Sequence, residues 1–318
     1  MKLICLLSGE HPVLPAKELE VAGTVTGLWP QVALMDCADP KSTARLAQTH
    51  LVLRYLSTCE PTLDAVKMML ADQDLSPDGT FAVRAKKVCG TPVEAEPPAI
   101  ERFAGGLING KVSLSAPDHE YHLIFSGDRC FCGELLLRID RRAMDLRNPY
   151  GRPFFHPGVM MPRMARTLVN LSLAEPGEVL YDPFCGTGGT MLEADLIGIQ
   201  AYGSDTDRAM LIGSRQNLPG AEVLAGDATC LPVRSAAVDA VVSDLPYGQS
   251  VPIIAPSLEK LYSGSLEEIR RILRPGRRAV IVTHQPIGTI AQEYMTVLGQ
   301  YEQRVHKSLT RRILVLEK

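Results

Sequence analysis

The feature that most narrows the fold of this chain is a short apolar run that passes directly into a glycine-rich turn. Val179-Leu180-Tyr181-Asp182 is followed by Pro183-Phe184-Cys185-Gly186-Thr187-Gly188-Gly189-Thr190. Glycines at these spacings let the backbone turn sharply and come close to a ligand without a Cβ in the way. From Met161 onward, segments that read as strands alternate with segments that read as helices. Strands are expected at 179–182, 201–205, 222–226, 238–244 and 278–284, and helices at 162–172, 189–197, 207–217, 257–273 and 288–297. The last stretch, RVHKSLTRRILVLE, reads as a closing two-stranded hairpin. This order predicts an α/β domain over 161–318, with a doubly wound, mostly parallel sheet and a C-terminal antiparallel hairpin.

The N-terminal part has a different rhythm. Residues 3–8, 31–35 and 51–56 read as strands, and 12–22, 40–48 and 62–71 as helices. That alternation predicts an α+β, ferredoxin-like domain over residues 1–75. The turn Ser76-Pro77-Asp78-Gly79 marks a boundary. A second small domain, 76–139, is then expected. It holds a strand at 81–88, an amphipathic helix at 100–108 and paired strands at 121–127 and 131–139. Residues 140–160, dense in Arg, Pro and Gly, read as a linker.

Composition excludes several classes. The chain is 46% hydrophobic and 22% charged, ordinary for a folded soluble protein. It has no apolar run near the roughly 18 residues a membrane span needs. The opening MKLICLLSGEHP is too short for a secretory signal and reads as a first strand, so a cytoplasmic location is expected. Eight cysteines are present without the paired C-x₂₋₄-C spacing of a zinc site, so no metal is expected. A net charge of −3 does not advertise a polyanion partner, but the arginines are clustered. Seven lie between Arg138 and Arg166 against Asp140 and Asp145, and further clusters lie at 270–278 and 304–312.

The strand ends of the 161–318 region share a chemistry. Asp205 closes the second strand, where a carboxylate can accept both hydroxyls of a ribose. Asp227 follows the third strand in Gly226-Asp227-Ala228, placed to meet an adenine amine. Met191 occupies the third glycine position of the G-x-G-x-x-G phosphate fingerprint. A dinucleotide is therefore disfavoured, and an adenosyl ligand without pyrophosphate fits better. After the fourth strand comes Ser243-Asp244-Leu245-Pro246-Tyr247-Gly248, similar to the [D/N/S]-[P/L/I]-P-[Y/F/W] motif of amino-methyltransferases. An exocyclic amine on a nucleobase is a poor nucleophile because its lone pair is delocalised into the ring. Asp244 and the carbonyl of Leu245 or Pro246 can accept its N–H bonds, and Asp244 can act as general base. Proline keeps the loop extended, and Tyr247 offers a flat face for a flipped base.

Taken together, D-P-F-C-G-T-G-G at 182–189, D-L-P-Y-G at 244–248, R-P-F-F-H-P-G at 152–158 and H-K-S-L-T-R-R at 306–312 resemble archaeal tRNA (guanine(10)-N2)-methyltransferases. The first two motifs mark amine methylation generally, and the others narrow the substrate. The resemblance covers essentially the whole chain. It implies a ferredoxin-like domain, a THUMP domain that grips the acceptor end of tRNA, and a Rossmann-fold methyltransferase domain. The THUMP segment is short and weakly basic for that role. The implied activity is transfer of methyl from S-adenosylmethionine to the N2 amine of guanosine in tRNA, by a monomer without a partner subunit. The implied cofactor contacts are Asp182, Phe184, Gly186, Thr187, Gly188, Asp205, Asp227 and Ala228, with Asp244, Leu245, Pro246 and Tyr247 as the catalytic set. Arg141, Arg142, Arg147, Arg152 and Arg163 become expected phosphate contacts. Phe154-Phe155-His156-Pro157 reads as a hydrophobic plug, a cofactor lid or interdomain packing. His284 and His306 are expected to be structural.

Rival readings share parts of this pattern. A related enzyme acting on another tRNA position or on ribosomal RNA would carry the same catalytic motif. A DNA adenine-N6 methyltransferase would too, but the N-terminal part shows no helix-turn-helix. A non-catalytic RNA-binding protein with a decayed cofactor domain is opposed by the intact Asp182, Gly186, Gly188, Asp205, Asp227 and Asp244.

Overall fold

The computed structural model describes residues 1–88, 90–247, 257–306 and 309–318, which form two compact units, Met1–Asp140 and Arg141–Lys318. In the first unit, apolar runs pair over long sequence distances into one sheet. Its strands are β1 (Lys2–Leu7), β2 (Thr24–Trp29), β3 (Val32–Asp36), β4 (Thr49–Cys59), β5 (Thr80–Lys87), β6 (Lys111–Val112), β7 (His119–Ser126) and β8 (Arg129–Arg138). The helices are α1 (Leu14–Glu18), α2 (Leu63–Gln73) and α3 (Pro97–Gly105). The strand order is β2-β3-β1-β4-β8-β7-β5-β6.

The eleven-residue β4 joins the two expected N-terminal domains, pairing with β1 on one edge and β8 on the other. The turn at 76–79 therefore falls inside one continuous sheet, and 1–75 does not stand apart from 76–139. The segment 40–48 is a 3-10 turn over Pro40–Arg45 rather than an α-helix, and β2 is an additional strand. Helices α2 and α3 cover one face, where Val66, Met69, Leu70, Ile100 and Ala104 pack on strand residues including Phe81, Leu123 and Phe125. The opposite face carries Ile4, Leu34, Leu53 and Phe131, with Trp29 edge-on to Phe131 at 4.8 Å. Thr62 caps α2 by accepting from the Ala65 amide, and Asp74 closes it in the left-handed conformation.

The second unit contains α4 (Arg141–Leu146), α5 (Pro162–Leu171), β9 (Val179–Asp182), α6 (Gly189–Asp195), β10 (Gln200–Asp205), α7 (Arg208–Asn217) and β11 (Glu222–Ala225). It continues with β12 (Val238–Asp244), α8 (Leu258–Ile272), β13 (Leu273–Thr283), α9 (Gly288–Gln292), β14 (Thr296–His306) and β15 (Leu309–Glu317). The order is β11-β10-β9-β12-β13-β15-β14. The first five strands are parallel, and β15 runs antiparallel to β13 and β14, as the alternation predicts. Chain order reverses between β9 and β12, so the loops leaving these strands open a crevice at their carboxyl ends. On one face, Leu266, Ile269 and Ile272 of α8 pack on Val241, Ile281, Leu314 and Leu316. No helix among the described residues is long and apolar enough to cross a membrane.

Residues 141–160, expected to be a linker, belong to this unit and carry α4 and a 3-10 turn at Pro149–Gly151. The reason is electrostatic. Glu193 of α6 is fully buried and takes both the Arg147 Nε and a second Arg147 nitrogen, at 2.8 and 2.9 Å. Arg166 of α5 reaches the same carboxylate at 2.9 Å. A buried carboxylate held by two guanidiniums fixes the segment before α5 against the sheet's helices. Removing one partner of such a network leaves uncompensated charge, at a cost of roughly 3–5 kcal/mol. Glu193→Ala should therefore lower the urea midpoint of the full chain clearly, with a loss in that range. A midpoint equal to wild type would show that the network contributes nothing.

Candidate active site

The site begins where β9 ends. Asp182 is 2% exposed, and its Oδ1 accepts the Ser243 hydroxyl of β12 at 2.6 Å and the Phe184 amide at 3.1 Å. Burial pushes its carboxyl up to about 7, partly opposed by these two donors. Asp182 thus ties the two strands on either side of the crevice and sets the start of the glycine loop. Gly186 and Gly188 both adopt left-handed backbone, at φ +50° and +79°. A Cβ at Gly186 would meet nothing within 4 Å, so the loop faces open space at that point.

Asp205, at the end of β10, clamps this loop. One carboxylate oxygen accepts the Gly186 amide and the other the Asp207 amide, each at 2.9 Å. Its carboxyl is raised, mainly by burial. Asp227 is exposed beyond β11, with one oxygen taking the Thr229 amide and hydroxyl at 2.8 Å, and Ala228 beside it is buried. Thr187 is buried, and its carbonyl accepts Asn217 Nδ2 at 3.1 Å. Phe184 is half-buried against the α8 core.

The same Asn217 settles where Phe154 goes. Its amide accepts from the Phe154 N–H and donates to the Phe154 carbonyl, both at 2.9 Å. The Phe154 ring lies against Gly213 of α7, where any side chain would collide with it. Arg152 Nη1 lies 3.3 Å from the Cβ position of Gly189. The 152–159 segment is a strap laid along the glycine loop.

Across the crevice, Asp244 ends β12. Burial pushes its carboxyl up to about 6, opposed by the Tyr247 hydroxyl and the Arg311 guanidinium. Tyr247 donates to Asp244 Oδ1 at 2.7 Å, and burial beside that carboxylate raises the phenol well above its usual range. The amide of buried Leu245 donates to Val282, extending the parallel ladder by one residue. The carbonyl of Pro246 accepts the hydroxyl of buried Tyr262 from α8 at 2.8 Å. Gly248, the last residue of the motif, lies outside the described residues, as do Lys307, Ser308 and the side chain of His306.

Two expectations about this region change. His284 stands beside the site: its ring centroid is 5.9 Å from that of Tyr247, and Nδ1 lies 3.3 Å from the Thr310 carbonyl. The arginines are also placed differently. Arg147 serves Glu193, and Arg163 Nε pairs with Asp145 at 2.8 Å. Arg152 is half-buried and donates to the Arg147 carbonyl at 3.3 Å. Arg141 is half-buried, whereas Arg142 is exposed and available to a phosphate. Charge density alone could not show that two of these five answer carboxylates of their own unit. Ser243, Asn217, Tyr262, His284 and Arg311 were not legible as site residues, because each reaches the site from a different element. The nearest signal was the position of Arg311 within H-K-S-L-T-R-R.

Chemically, Asp182, Asp205, Asp227 and Asp244 gather at one edge, a setting for a ligand that offers hydroxyl and amine donors and a positive charge. Among the described residues no group of three metal-ligating side chains occurs. The Tyr247 hydroxyl bonds the ionised form of Asp244, so Tyr247→Phe should raise the pH at which Asp244 takes its proton. Carboxyl-carbon NMR of labelled aspartate would follow it, and an unmoved or lowered midpoint would contradict the bond's role.

Residues 149–313 match the family described as RMKL-like, methyltransferase domain. The tRNA (guanine(10)-N2)-dimethyltransferase of Methanothermobacter thermautotrophicus is 32% identical over 343 residues, covering 100% of both chains. The protein of the same name from Methanocaldococcus jannaschii is 28% identical, covering 98% of this chain and 99% of its own. The crystal structure of TrmN from Thermus thermophilus shares the fold, with a TM-score of 0.53 at 20% identity over 100% of both chains. Over its whole length, this chain belongs to the tRNA (guanine(10)-N2)-dimethyltransferase family, with an RMKL-like methyltransferase domain as its second half.

Proposed function

We propose that this protein transfers methyl groups from S-adenosylmethionine to the N2 amine of guanosine 10 in tRNA, giving N2-methyl- and N2,N2-dimethylguanosine. One observation carries the reading: the half-buried Asp244 carboxylate ends β12 beside β9, the strand that opens the glycine loop, at the point where strand order reverses, and Asp182 between them feels the charges of both Asp205 and Asp244. The acidic edge suits the cofactor, because a ribose diol, an adenine amine and a sulfonium offer donors and positive charge. Asp205 and the 186–188 backbone would hold the ribose and amino-acid portions, Asp227 and Ala228 the adenine, and Phe184 its apolar surroundings. Asp182 would act by holding the loop in shape. When bound, the cofactor supplies an electrophilic methyl group and leaves as a neutral thioether.

The protein's own part is to prepare the amine. Asp244 accepts one of its N–H bonds, which localises the nitrogen lone pair, and takes the proton as the N–C bond forms. The base must leave its stem for this, at a cost of a few kcal/mol that stacking on Tyr247 partly offsets. To accept the amine, Asp244 must release or share the Tyr247 hydroxyl that it binds here. The first unit supplies affinity for the RNA, and its concavity of about 520 Å³, lined by Arg84, Lys86 and Arg138 with His50, His122 and Glu101, offers cations to a phosphate backbone. The enzyme acts as a monomer in the cytoplasm.

The deciding experiment incubates unmodified tRNA transcript with labelled cofactor and maps the product nucleoside. N2-methylated guanosine at position 10 is expected, lost when that position is changed to adenosine. Label at another base or nucleoside would overturn the assignment. Calorimetry should show S-adenosylhomocysteine binding that weakens after Asp205→Ala, and unchanged affinity would remove Asp205 from the cofactor site. Asp244→Ala should cut turnover by roughly 10²–10⁴-fold with cofactor affinity kept. Because Asp244 accepts a proton only when ionised, kcat should be level above about pH 6 and fall tenfold per unit below it. A kcat that stays flat to pH 5 would place the base elsewhere.

A further inference from the structure

The C-terminal hairpin brings one residue to the site that the catalytic motif does not include. Asp244 on β12 is in register with Val282 on β13, and Val282 with Ile313 on β15. Side chains alternate faces along a strand, and Val241, Ile281 and Leu314 point into the α8 core. Asp244, Val282 and Ile313 therefore share the opposite face. Arg311, two residues before Ile313, lies on that same face, one step further toward the carboxyl ends of the parallel strands. Two strand spacings, about 10 Å, separate β12 from β15. An arginine and an aspartate extended toward each other span that gap.

Arg311 differs from its neighbour. Arg312 is tied outward, to Glu302 at 3.1 Å and to the His284 carbonyl at 2.6 Å. Arg311 Nε is instead buried and has no hydrogen-bond partner among the described residues. The groups that face Asp244 are Tyr247 from its own loop, Asp182 from β9, Tyr262 from α8 and Arg311 from β15, with the His284 ring behind Tyr247. Arg311 is the guanidinium in this set. Its field opposes burial at both Asp244 and Tyr247. A guanidinium keeps its charge at any working pH, so it can hold a buried carboxylate ionised where water cannot.

We propose that Arg311 is a positioning residue for methyl transfer, its guanidinium reaching from β15 to keep the Asp244 carboxylate charged and turned to the incoming amine, with Tyr247 held beside it. This rests on the proposed function, which the wild-type enzyme tests first by making N2-methylguanosine. If wild type fails there, the function is wrong. If wild type succeeds and the Arg311 variants depart from the expected pH profiles, Arg311 is misassigned.

The experiment is the pH profile of single-turnover methylation of tRNA transcript at saturating substrates, for wild type, Arg311→Gln and Arg311→Lys. Calorimetric binding of S-adenosylhomocysteine serves as the check on folding. In Arg311→Gln the acidic limb should move up by about one unit, so that the rate near pH 6 falls roughly fivefold more than the rate near pH 8.5. In Arg311→Lys, which keeps the charge on a shorter, unforked arm, the limb should lie between the two. Should the Gln variant fail to bind cofactor, the Lys variant decides: a raised limb supports the proposal, and a limb at the wild-type position overturns it. A pH-independent loss in Arg311→Gln would also overturn it, showing a purely structural role. So would a raised KM for tRNA with kcat and limb unmoved, which would make Arg311 an RNA contact.

Discussion

The bond between Asp182 and Ser243 is the constraint on which the second unit's chemistry depends. It is a short contact, 2.6 Å, between the ends of two adjacent parallel strands in a place closed to water. Parallel strands with a reversed order open a crevice, and a crevice needs something to fix its width. Here a carboxylate on one lip accepts a hydroxyl from the other. The same Asp182 oxygen turns the next peptide by accepting the Phe184 amide, which starts the glycine loop. The glycine loop and the end of β12 are therefore set by one side chain. Asp205 repeats the device one strand away by accepting the Gly186 amide.

Burying carboxylates this way is costly, and the cost shapes the chemistry. With Asp182 and Asp244 desolvated and within each other's field, both protonate far more readily than in water. For Asp182 this matters little, since a protonated carboxyl can still accept Ser243. For Asp244 it matters greatly, since only the anion can pull on an amine. A phenol from its own loop and a guanidinium from the hairpin oppose the burial. The antiparallel hairpin thus does more than cover the edge of β13: it carries a cation to the end of β12.

The second half of the fold was legible because a parallel sheet is written in order along the chain. Each strand, loop and helix follows the last, and Gly186, Asp205, Asp227 and Asp244 fall at successive strand ends. The first half was less so. Its mixed, largely antiparallel sheet pairs Arg54 with Glu134 across eighty residues, and nothing local marks β4 as shared between two presumed domains. Among the arginines of 141–163, Arg147 and Arg163 meet carboxylates that a local reading does not reveal. A run of basic residues looks the same whether it meets phosphate or a buried Glu193, whose position in α6 reads as surface until α4 and α5 are packed on it. His284 was missed for a related reason, since only the pairing of β12 with β13 brings the loop after β13 beside Tyr247.

The Asp244–Tyr247 bond bears on how the site exchanges partners. An empty acceptor in a dry crevice would be expensive, because a buried carboxylate with no donor loses the full desolvation penalty. Tyr247 removes that penalty between turnovers by occupying Oδ1. A guanine amine entering the site then replaces one O–H···O bond at the carboxylate with one N–H···O bond, and the freed phenol ring remains beside the carboxylate, where a base can stack on it. The net change is small on the hydrogen-bond side, so the stacking gain stays available against the cost of extracting the base. A site built this way binds a flipped purine without first creating an unsatisfied charge. It also gives a role to the hydroxyl that this chain carries three positions after the acid, at a distance its own loop can fold back across.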